Sequence, residues 1–350
     1  MIMRNSFILC IPFLISNSLH AGVVTSDSSD VVVNLKSPME IKTSDNNYSA
    51  KLGGRIQWDY NYAELNGVTD EDDFSIRRAR FYLSGNVNDW SYKVQFNLGN
   101  GNGGTHEDLY IRYSGWGKQA VVTIGNQNEP FGLEQLESSK DISYLERSAV
   151  TEAYVPGRQE GMLFSGQRGD IIYALGVFED DGASDGTAVT GRVTYAPIKS
   201  ADHVLHFGVA HSNRDEDIDI TGLEVAYAKG PYHIQSEFIS SEENNLSRKG
   251  FYVQAGWIIT GEKRPYKNGI FKRVKPANSS GAWELVVRYE DGDGAYSDEE
   301  LGSTDATSYG VGVNYYINNF IRIGATFSDA KDNLNDDNGS EFRVRLQIAI

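Results

Sequence analysis

The chain has 350 residues, with 32 Lys and Arg against 48 Asp and Glu, 36 Gly against 8 Pro, and a formal net charge of −16. These proportions favour one large β-rich domain over several small ones. The acidic balance argues against nucleic acid as a partner.

Residues 1–21 have the pattern of a cleavable secretory signal. Arg4 supplies the basic start, Phe7 to Ile15 the apolar core, and Ala21 the small residue at the cleavage point. The single cysteine, Cys10, lies inside this segment, so the mature chain is expected to contain no cysteine and no disulfide. We expect residues 22–47 to form a periplasmic N-terminal segment, where "VVVNLKSPMEIKT" is compatible with a small hairpin that joins subunits.

The rest of the sequence alternates apolar and polar residues with a period of two. In "SAKLGGRIQWDYNY", Leu52, Ile56 and Trp58 share one face of a strand, and Arg55 and Gln57 share the other. After the signal, no apolar run approaches the roughly 20 residues of a membrane helix, so a chain of this kind crosses a membrane only as a closed barrel. We therefore predict an all-β fold, a transmembrane antiparallel β-barrel of about 16 strands within residues 48–350. The predicted strands lie near residues 50–62, 76–87, 91–99, 107–114, 120–127, 161–167, 171–178, 189–197, 203–212, 222–228, 232–240, 250–260, 282–290, 307–316, 320–329 and 341–350.

The connections between the predicted strands alternate in kind. Tight links such as "NDW", "QRGD" and "KGP" follow the even-numbered strands, whereas longer acidic segments such as "GVTDEDD" and "SDAKDNLNDDNG" follow the odd-numbered ones. Short periplasmic turns and long external loops are typical of outer-membrane barrels. The alternative is a secreted soluble β-sandwich, because a sheet with one wet face shows the same alternation. The repeated aromatic and aliphatic face, opposite a polar face that carries arginine, favours the barrel.

Residues 129–161 are too long for an ordinary connection, and loops of this length are usually functional. The spacing of Leu133 and Leu136 predicts one or two helical turns that pack against a wall. We expect this constriction loop to fold into the lumen and to place Lys140, Arg147 and Arg158 near its middle. The alternative is an external cap over the mouth of the barrel.

Residues 262–281 form a second unusual connection, placed at the periplasmic end where a tight turn is expected. The segment "EKRPYKNGIFKRVKPANSSG" contains six basic residues and one acid. Charges of one sign along a confined path concentrate ions of the opposite sign. We interpret this basic periplasmic turn as an entrance that attracts anions, with a periplasmic surface contact as the alternative.

Arginine also recurs on the polar face of the predicted strands. In "FSIRRARFYLSG", the alternation directs Arg78 and Arg80 inward and Arg77 towards lipid. A charge that faces lipid at mid-bilayer costs roughly 2–4 kcal/mol. We therefore expect Arg77 to lie near the rim, unless a β-bulge re-aims it.

These segments together resemble the phosphate-selective porin O and P family. The matching stretches are "KLGGR", "RRAR" after an acidic first loop, "FGLEQLESSK" followed by "LER", "ITGEKRPYK", "VKP", "GAWELVVRY" and the closing "RLQ". The resemblance runs nearly end to end, and its specificity comes from the order and spacing of the stretches. It implies a trimeric, sixteen-stranded anion porin in which the third loop and the long periplasmic turn enter the lumen.

The resemblance also assigns roles to individual residues. It implies that Lys140 is the constriction lysine that binds phosphate, with Ser139 as a hydroxyl ligand and Asp108 as the acid opposite. The remaining pore residues that it implies are Arg55, Arg77 and Arg78 on the wall and Lys267 and Lys275 on the basic turn. The predicted set of pore residues is completed by Arg147 of the constriction loop.

The chain departs from the family pattern in two places. Gln135 stands where phosphate-specific members carry a second constriction lysine, and "NRDEDIDITG" replaces their arginine-rich external segment. A single ammonium group in a partly wet site contributes only about 1–4 kcal/mol at 4 Å. We therefore expect an anion preference with weaker binding of doubly charged phosphate.

The predicted function is passive diffusion of small, phosphate-like anions across the outer membrane of a Gram-negative bacterium. The expected partners are these anions, outer-membrane lipid and lipopolysaccharide, and two further copies of the chain; no cofactor, catalytic residue or metal site is predicted. One alternative is a general porin with little anion selectivity. Others are a calcium-dependent adhesin, for which the acidic loops complete no known signature, and a lipid hydrolase, for which no histidine lies in a recognisable motif.

Overall fold

The computed structural model describes residues 23–26, 29–34, 38–99, 104–180, 186–215, 217–243, 246–295 and 303–350. The predicted signal over residues 1–21 lies outside the described residues. The N-terminal part forms an antiparallel meander of β1 (Val23–Ser26), β2 (Ser29–Asn34) and β3 (Met39–Thr43).

Sixteen long antiparallel strands of the described chain form a closed barrel, in which each pairs with the next and the last pairs with the first. This confirms the predicted barrel. The first twelve barrel strands are β4 (Tyr48–Leu65), β5 (Val68–Val87), β6 (Trp90–Asn97), β7 (Thr105–Tyr113), β8 (Val121–Asn128), β9 (Arg158–Arg168), β10 (Ile171–Asp180), β11 (Gly186–Lys199), β12 (His203–Arg214), β13 (Ile218–Lys229), β14 (Tyr232–Glu243) and β15 (Leu246–Ile258). A short separate hairpin of β16 (Tyr266–Lys267) and β17 (Ile270–Phe271) follows. The last four barrel strands are β18 (Ala282–Ala295), β19 (Ser303–Tyr316), β20 (Ile321–Asp332) and β21 (Asp337–Ala349).

The closing seam shows why the alternation specifies this architecture. Arg345 of β21 lies opposite Asp59 of β4, and both side chains are fully buried. The next residue in the strand, Leu346, is 40% exposed and lies opposite the exposed Trp58. Polar side chains therefore fill the inner face and apolar ones cover the outer face, as required of a barrel with lipid outside and a polar interior.

The N-terminal meander extends the sheet beyond the end of the barrel. Strand β3 pairs with residues 49–52 of β4, whereas β21 pairs with β4 from Arg55 onward. Strands β3 and β21 thus pair with successive parts of the same edge of β4. A periplasmic location for this segment remains a prediction.

The prediction of long acidic loops is wrong for the first hairpin. Strand β5 already begins at Val68, so "GVTDEDD" is mostly strand, and the turn consists of Asn66 and Gly67 with φ values of 53° and 77°. These left-handed conformations close a two-residue hairpin whose twist matches that of the strands. The acidic residues after the turn therefore belong to paired strands.

Arg77 lies at a β-bulge in the middle of β5. Gln57 pairs with Arg78, and the next residue of β4 pairs with Ile76, so Arg77 is an extra residue in the ladder. Ile76 before the bulge and Phe81 after it are both exposed, although they differ in parity. The bulge, rather than a position at the rim, turns Arg77 away from lipid.

The connection between β8 and β9 contains two short helices, α1 (Leu133–Leu136) and α2 (Ala149–Tyr154). This confirms the predicted helical turns around Leu133 and Leu136. Within the described chain, no helix has both the length and the apolar character needed to cross a membrane.

Candidate functional site

The constriction loop packs against the buried polar side of the strands, with two apolar anchors near its start. Phe131 is fully buried among Ile220 and Ile239 of the barrel wall and Val150 of α2. Leu133 is fully buried in a second cluster with Phe271 of β17. The loop thus contacts both the wall and the basic turn.

Carboxylates of the wall bind the backbone of the loop. The N–H groups of Leu133 and Glu134 each donate to one oxygen of Glu237, at 2.7 Å. The N–H of Ala149 at the start of α2 donates to Glu290 at 2.6 Å. Charge-assisted hydrogen bonds to backbone N–H groups are strong and directional, so these two carboxylates position α1 and α2.

Arg288 of β18 is a further anchor of the loop. Its guanidinium donates to the carboxylate of Glu134 at 2.5 Å, to the carbonyl oxygen of Glu146 at 3.0 Å and to Gln254 at 2.8 Å. It also lies 4.3 Å from the centre of the Tyr144 ring. Because Arg288 and Glu134 are both almost fully buried, removing one partner would leave a buried charge unpaired.

The basic turn is joined to the constriction loop through Glu137. Arg264 donates to the Glu137 carboxylate at 2.7 Å, and the N–H of Phe271 donates to it at 3.2 Å. Burial raises the pKa of the Glu137 carboxyl to about 7, although Arg264 opposes the shift. On its other side the turn contacts the wall, where the Tyr266 hydroxyl lies 2.6 Å from Nδ1 of His206.

The wall, the constriction loop and the basic turn together enclose a cavity of about 820 Å³, which we call the main cavity. Ten basic and three acidic residues of the described chain line it. The basic residues are Arg55, Arg80, Lys93, Lys140, Arg147, Arg158, Lys267, Lys272, Arg273 and Lys275, and the acidic residues are Asp108, Glu137 and Asp141.

Three of the basic groups are compensated by two neighbouring acids on β7. Arg158 pairs with Asp108 at 2.7 Å and with Glu107 at 3.0 Å, Lys93 pairs with Asp108, and Arg80 pairs with Glu107. These groups therefore contribute less to the attraction of an anion than their number suggests.

Five other cations of the main cavity have no ion-pair partner among the described residues. They are Arg55, Lys140, Lys267, Arg273 and Lys275. Arg55 donates to Ser138 Oγ at 3.0 Å, and its Nε is buried without a hydrogen-bond acceptor in the described structure. Ser139 Oγ of the constriction loop is also buried without a described hydrogen-bond partner. Arg55 and Ser139 can therefore each form a further hydrogen bond to a ligand.

The structure places seven of the nine predicted pore residues on one cavity. Those that line the main cavity are Arg55, Asp108, Ser139, Lys140, Arg147, Lys267 and Lys275. Arg77 and Arg78 instead pair with Glu146 at 3.2 and 2.8 Å. Arg147, besides lining the cavity, donates to the carbonyl oxygens of Glu134, Gln135 and Glu137 at 3.0–3.2 Å. These carbonyl groups lie in α1 and at its C-terminal end. The roles of the nine predicted pore residues in anion binding remain predictions.

Several lining residues were absent from the predicted set. Arg80 and Lys93 lie on the polar parity of their strands, and Lys272 and Arg273 belong to the basic turn, so patterning could have indicated all four. The pairing of Arg77 and Arg78 with Glu146 is different. Glu146 is 69 residues away from Arg77, and no local pattern points to the contact.

A closed barrel of sixteen antiparallel strands with an apolar outer face and a polar interior is the architecture of a porin. The sequence model of phosphate-selective porin O and P matches residues 50–221 and 210–350. The chain belongs to this family, and its place is the outer membrane of a Gram-negative bacterium.

Individual relatives agree with this assignment. The chain is 30% identical to porin O of Pseudomonas aeruginosa in an alignment that covers 95% of each chain. Among solved structures, it is similar in fold to the anion-selective porin from Comamonas acidovorans, with a TM-score of 0.62 and 12% identity over 87% of this chain and 100% of that one. The trimer form of OmpT from Vibrio cholerae has a TM-score of 0.59 and 13% identity over 87% and 99%. Family and fold point to a channel rather than an enzyme.

Proposed function

We propose that this porin is a passive channel for small anions, phosphate-like ones among them. The observation that carries the proposal is the lining of the main cavity, where ten basic residues face three acidic ones. The whole chain has a net charge of −16, so this local excess of positive charge is a property of the cavity. A confined path with charges of one sign raises the local concentration of the opposite ion.

The uncompensated cations suggest the course of the anion. Lys267 and Lys275 are exposed on the basic turn, whereas Arg55 and Lys140 lie with the buried Ser139 on the wall and the constriction loop. In this proposal the constriction loop folds into the lumen and narrows it at Lys140. The turn lysines attract the anion at one end, and Arg55, Ser139 and Lys140 bind it in the narrow part.

The proposed selectivity is moderate, because conduction requires release as well as binding. Glu107 and Asp108 neutralise part of the basic lining, and Gln135 replaces the second constriction lysine of phosphate-specific relatives. Phosphate binds in this channel without the two lysines that would hold a doubly charged anion tightly.

We also propose a homotrimer in contact with lipid and lipopolysaccharide. The trimer form of a solved porin with the same fold supports the assembly. The exposed apolar side chains on the outer face, such as Phe81, Val225 and Leu285, supply the surface for lipid and for neighbouring subunits.

Ion selectivity of the purified protein in planar bilayers tests the proposal. Under a potassium chloride gradient, the reversal potential should have the sign of an anion-selective channel, and added phosphate should reduce the chloride current. A reversal potential near zero would instead support the general porin, and an enzyme or adhesin would show no conductance of its own.

The anion preference should fall as the pH rises. Lys140 belongs to the constriction loop, outside the spanning strands, and burial, together with Arg273 and Arg55, lowers its pKa below the ordinary 10.5 against the opposing effect of Asp141. A lysine with a lowered pKa is charged below that pKa and neutral above it, so the preference is present at low pH and is lost on passing through the pKa. Reversal potentials measured on a rising pH series should show this loss below pH 10.5.

Lys140→Arg is the matched control for the pH series, because arginine keeps its charge throughout the range. Its anion preference should stay constant over the same range. If wild type and variant lose preference together, another group is responsible for the pH dependence.

A further inference from the structure

A second cavity, of about 350 Å³, adjoins the main cavity. Asp108, Asn128 and Leu136 line both cavities. Ile172 and Asn268 line the second cavity and also a third one of about 360 Å³ at the β11–β12 turn. The three cavities thus follow one another along the barrel interior, and the second offers a route beside the tip of the basic turn.

One cation of the second cavity is uncompensated. Arg112 of β7 donates from Nε to Thr123 Oγ1 at 3.1 Å, and its guanidinium lies 5.2 Å from the centre of the Tyr110 ring. No carboxylate of the described residues forms an ion pair with it. The other arginine of the lining, Arg192, is bound by Glu224 through two hydrogen bonds of 2.7 and 2.6 Å. Arg112 therefore has free donors for an anion.

The remainder of the lining is mixed: polar groups of Asp108, Gln127, Asn128, Ser165, Arg192 and Asn268 alternate with aliphatic side chains and two tyrosines. Leu163 of β9, Ile172 of β10, Ile270 of β17 and Leu136 of α1 all contribute to it. These residues come from the wall, the constriction loop and the basic turn, so aliphatic side chains meet the space from several sides, between the polar ones. An apolar group there would be removed from water.

We propose that the second cavity is a subsite for a small amphipathic carboxylate, a monoanion with an apolar body. The carboxylate accepts hydrogen bonds from Arg112, and the apolar body packs against Leu163, Ile172 and Ile270. A doubly charged anion is less favoured, because Arg112 is the one uncompensated cation of the described lining and a second negative charge has no counterpart there. The volume lies at the lower end of the roughly 300–1,000 Å³ of small-molecule sites. The proposal rests on the channel function proposed above, since the ligand reaches the subsite through the lumen.

Block of the chloride current by benzoate, acetate and phosphate tests the subsite in the full-length protein. Benzoate should block at lower concentration than acetate, which has the same carboxylate without the ring. Arg112→Gln should weaken the benzoate block about tenfold, because a charge-assisted hydrogen bond is lost, and should leave the phosphate block nearly unchanged. Arg112→Lys should restore part of the benzoate block because it keeps the charge.

The opposite specificity is expected of Lys140→Gln, which should weaken the phosphate block and leave the benzoate block nearly unchanged. Ile270→Asn, which leaves Arg112 intact, should bring the benzoate block close to that of acetate, and it serves as the test if Arg112 variants fail to fold. An unchanged benzoate block in Arg112→Gln or in Ile270→Asn overturns the subsite while an anion-selective channel remains. A wild-type channel without anion preference overturns the proposed function itself.

Discussion

Replacing Arg288 with methionine should loosen the constriction loop and make the open channel noisy. The substitution leaves the carboxylate of Glu134 almost fully buried without its partner and removes the hydrogen bond to the carbonyl oxygen of Glu146. Breaking one side of a buried ion pair typically costs about 3–5 kcal/mol. Single-channel recording should therefore show frequent transitions between current levels, and the folded band should be lost at a lower temperature on electrophoresis.

Two variants make the result for Arg288 interpretable. Lys249→Met removes a similar charge from an exposed pair with Asp293 on the outer face, where ion pairs contribute little, so its recordings should match wild type. Arg288→Met combined with Glu134→Leu should recover part of the lost stability, because the buried Glu134 carboxylate is removed together with its partner, and Glu290, which loses a weaker contact of 3.4 Å to Arg288, still accepts from the N–H of Ala149. Open-channel noise equal to that of wild type in Arg288→Met would contradict its role as an anchor.

Replacing Lys140 with glutamate should remove most of the anion preference and abolish the phosphate block. Lys140 lines the main cavity and has no ion-pair partner in the described part of the chain. Two unit charges 4 Å apart interact by about 1 kcal/mol in bulk water. Reversing the charge therefore changes the energy of a bound monovalent anion by about 2 kcal/mol, which is more than a tenfold change in occupancy.

Reversal potentials measure this change, and Lys331→Glu is the matched control. The Lys331→Glu substitution makes the same change of charge, but Lys331 lies on the β20–β21 hairpin, where it pairs with the exposed Asp336. Its reversal potential should remain close to that of wild type. Equal shifts in the two variants would mean that the net charge of the protein, rather than Lys140 in the cavity, controls selectivity.

Much of the fold could be predicted because it depends on a local rule. Side chains alternate along a strand, so Leu346 and Arg345 reveal two faces from the sequence alone. The same rule placed Arg55, Arg78 and Arg80 on the inner face. The extents of the strands were harder to predict, because the turn at Asn66 and Gly67 allows acidic residues to continue as paired strand where composition suggested loop.

The candidate site was only partly predictable, because its electrostatics depend on partners distant in sequence. The basic residues of the constriction loop and the basic turn can be read from the sequence, but the acidic residues that pair with cations of the main cavity cannot. Arg80 and Arg158 look as free as Lys140 until the structure places Glu107 beside them. The second cavity is a similar case, since Leu136 and Ile270 come together only when the loop and the turn pack against each other.

The sequence by itself determined the barrel, its two chemically different faces, the helical turns of the constriction loop and the basic character of the long turn. These features follow from the period of two, from residue composition and from segment length, which act over a few residues. Only the tertiary structure decided that Arg77 turns inward at a bulge, that Glu146 binds it, and which cations stay uncompensated. Those outcomes depend on distances between residues far apart in the chain, and the Coulomb energy of a pair changes with distance and burial rather than with position in the sequence.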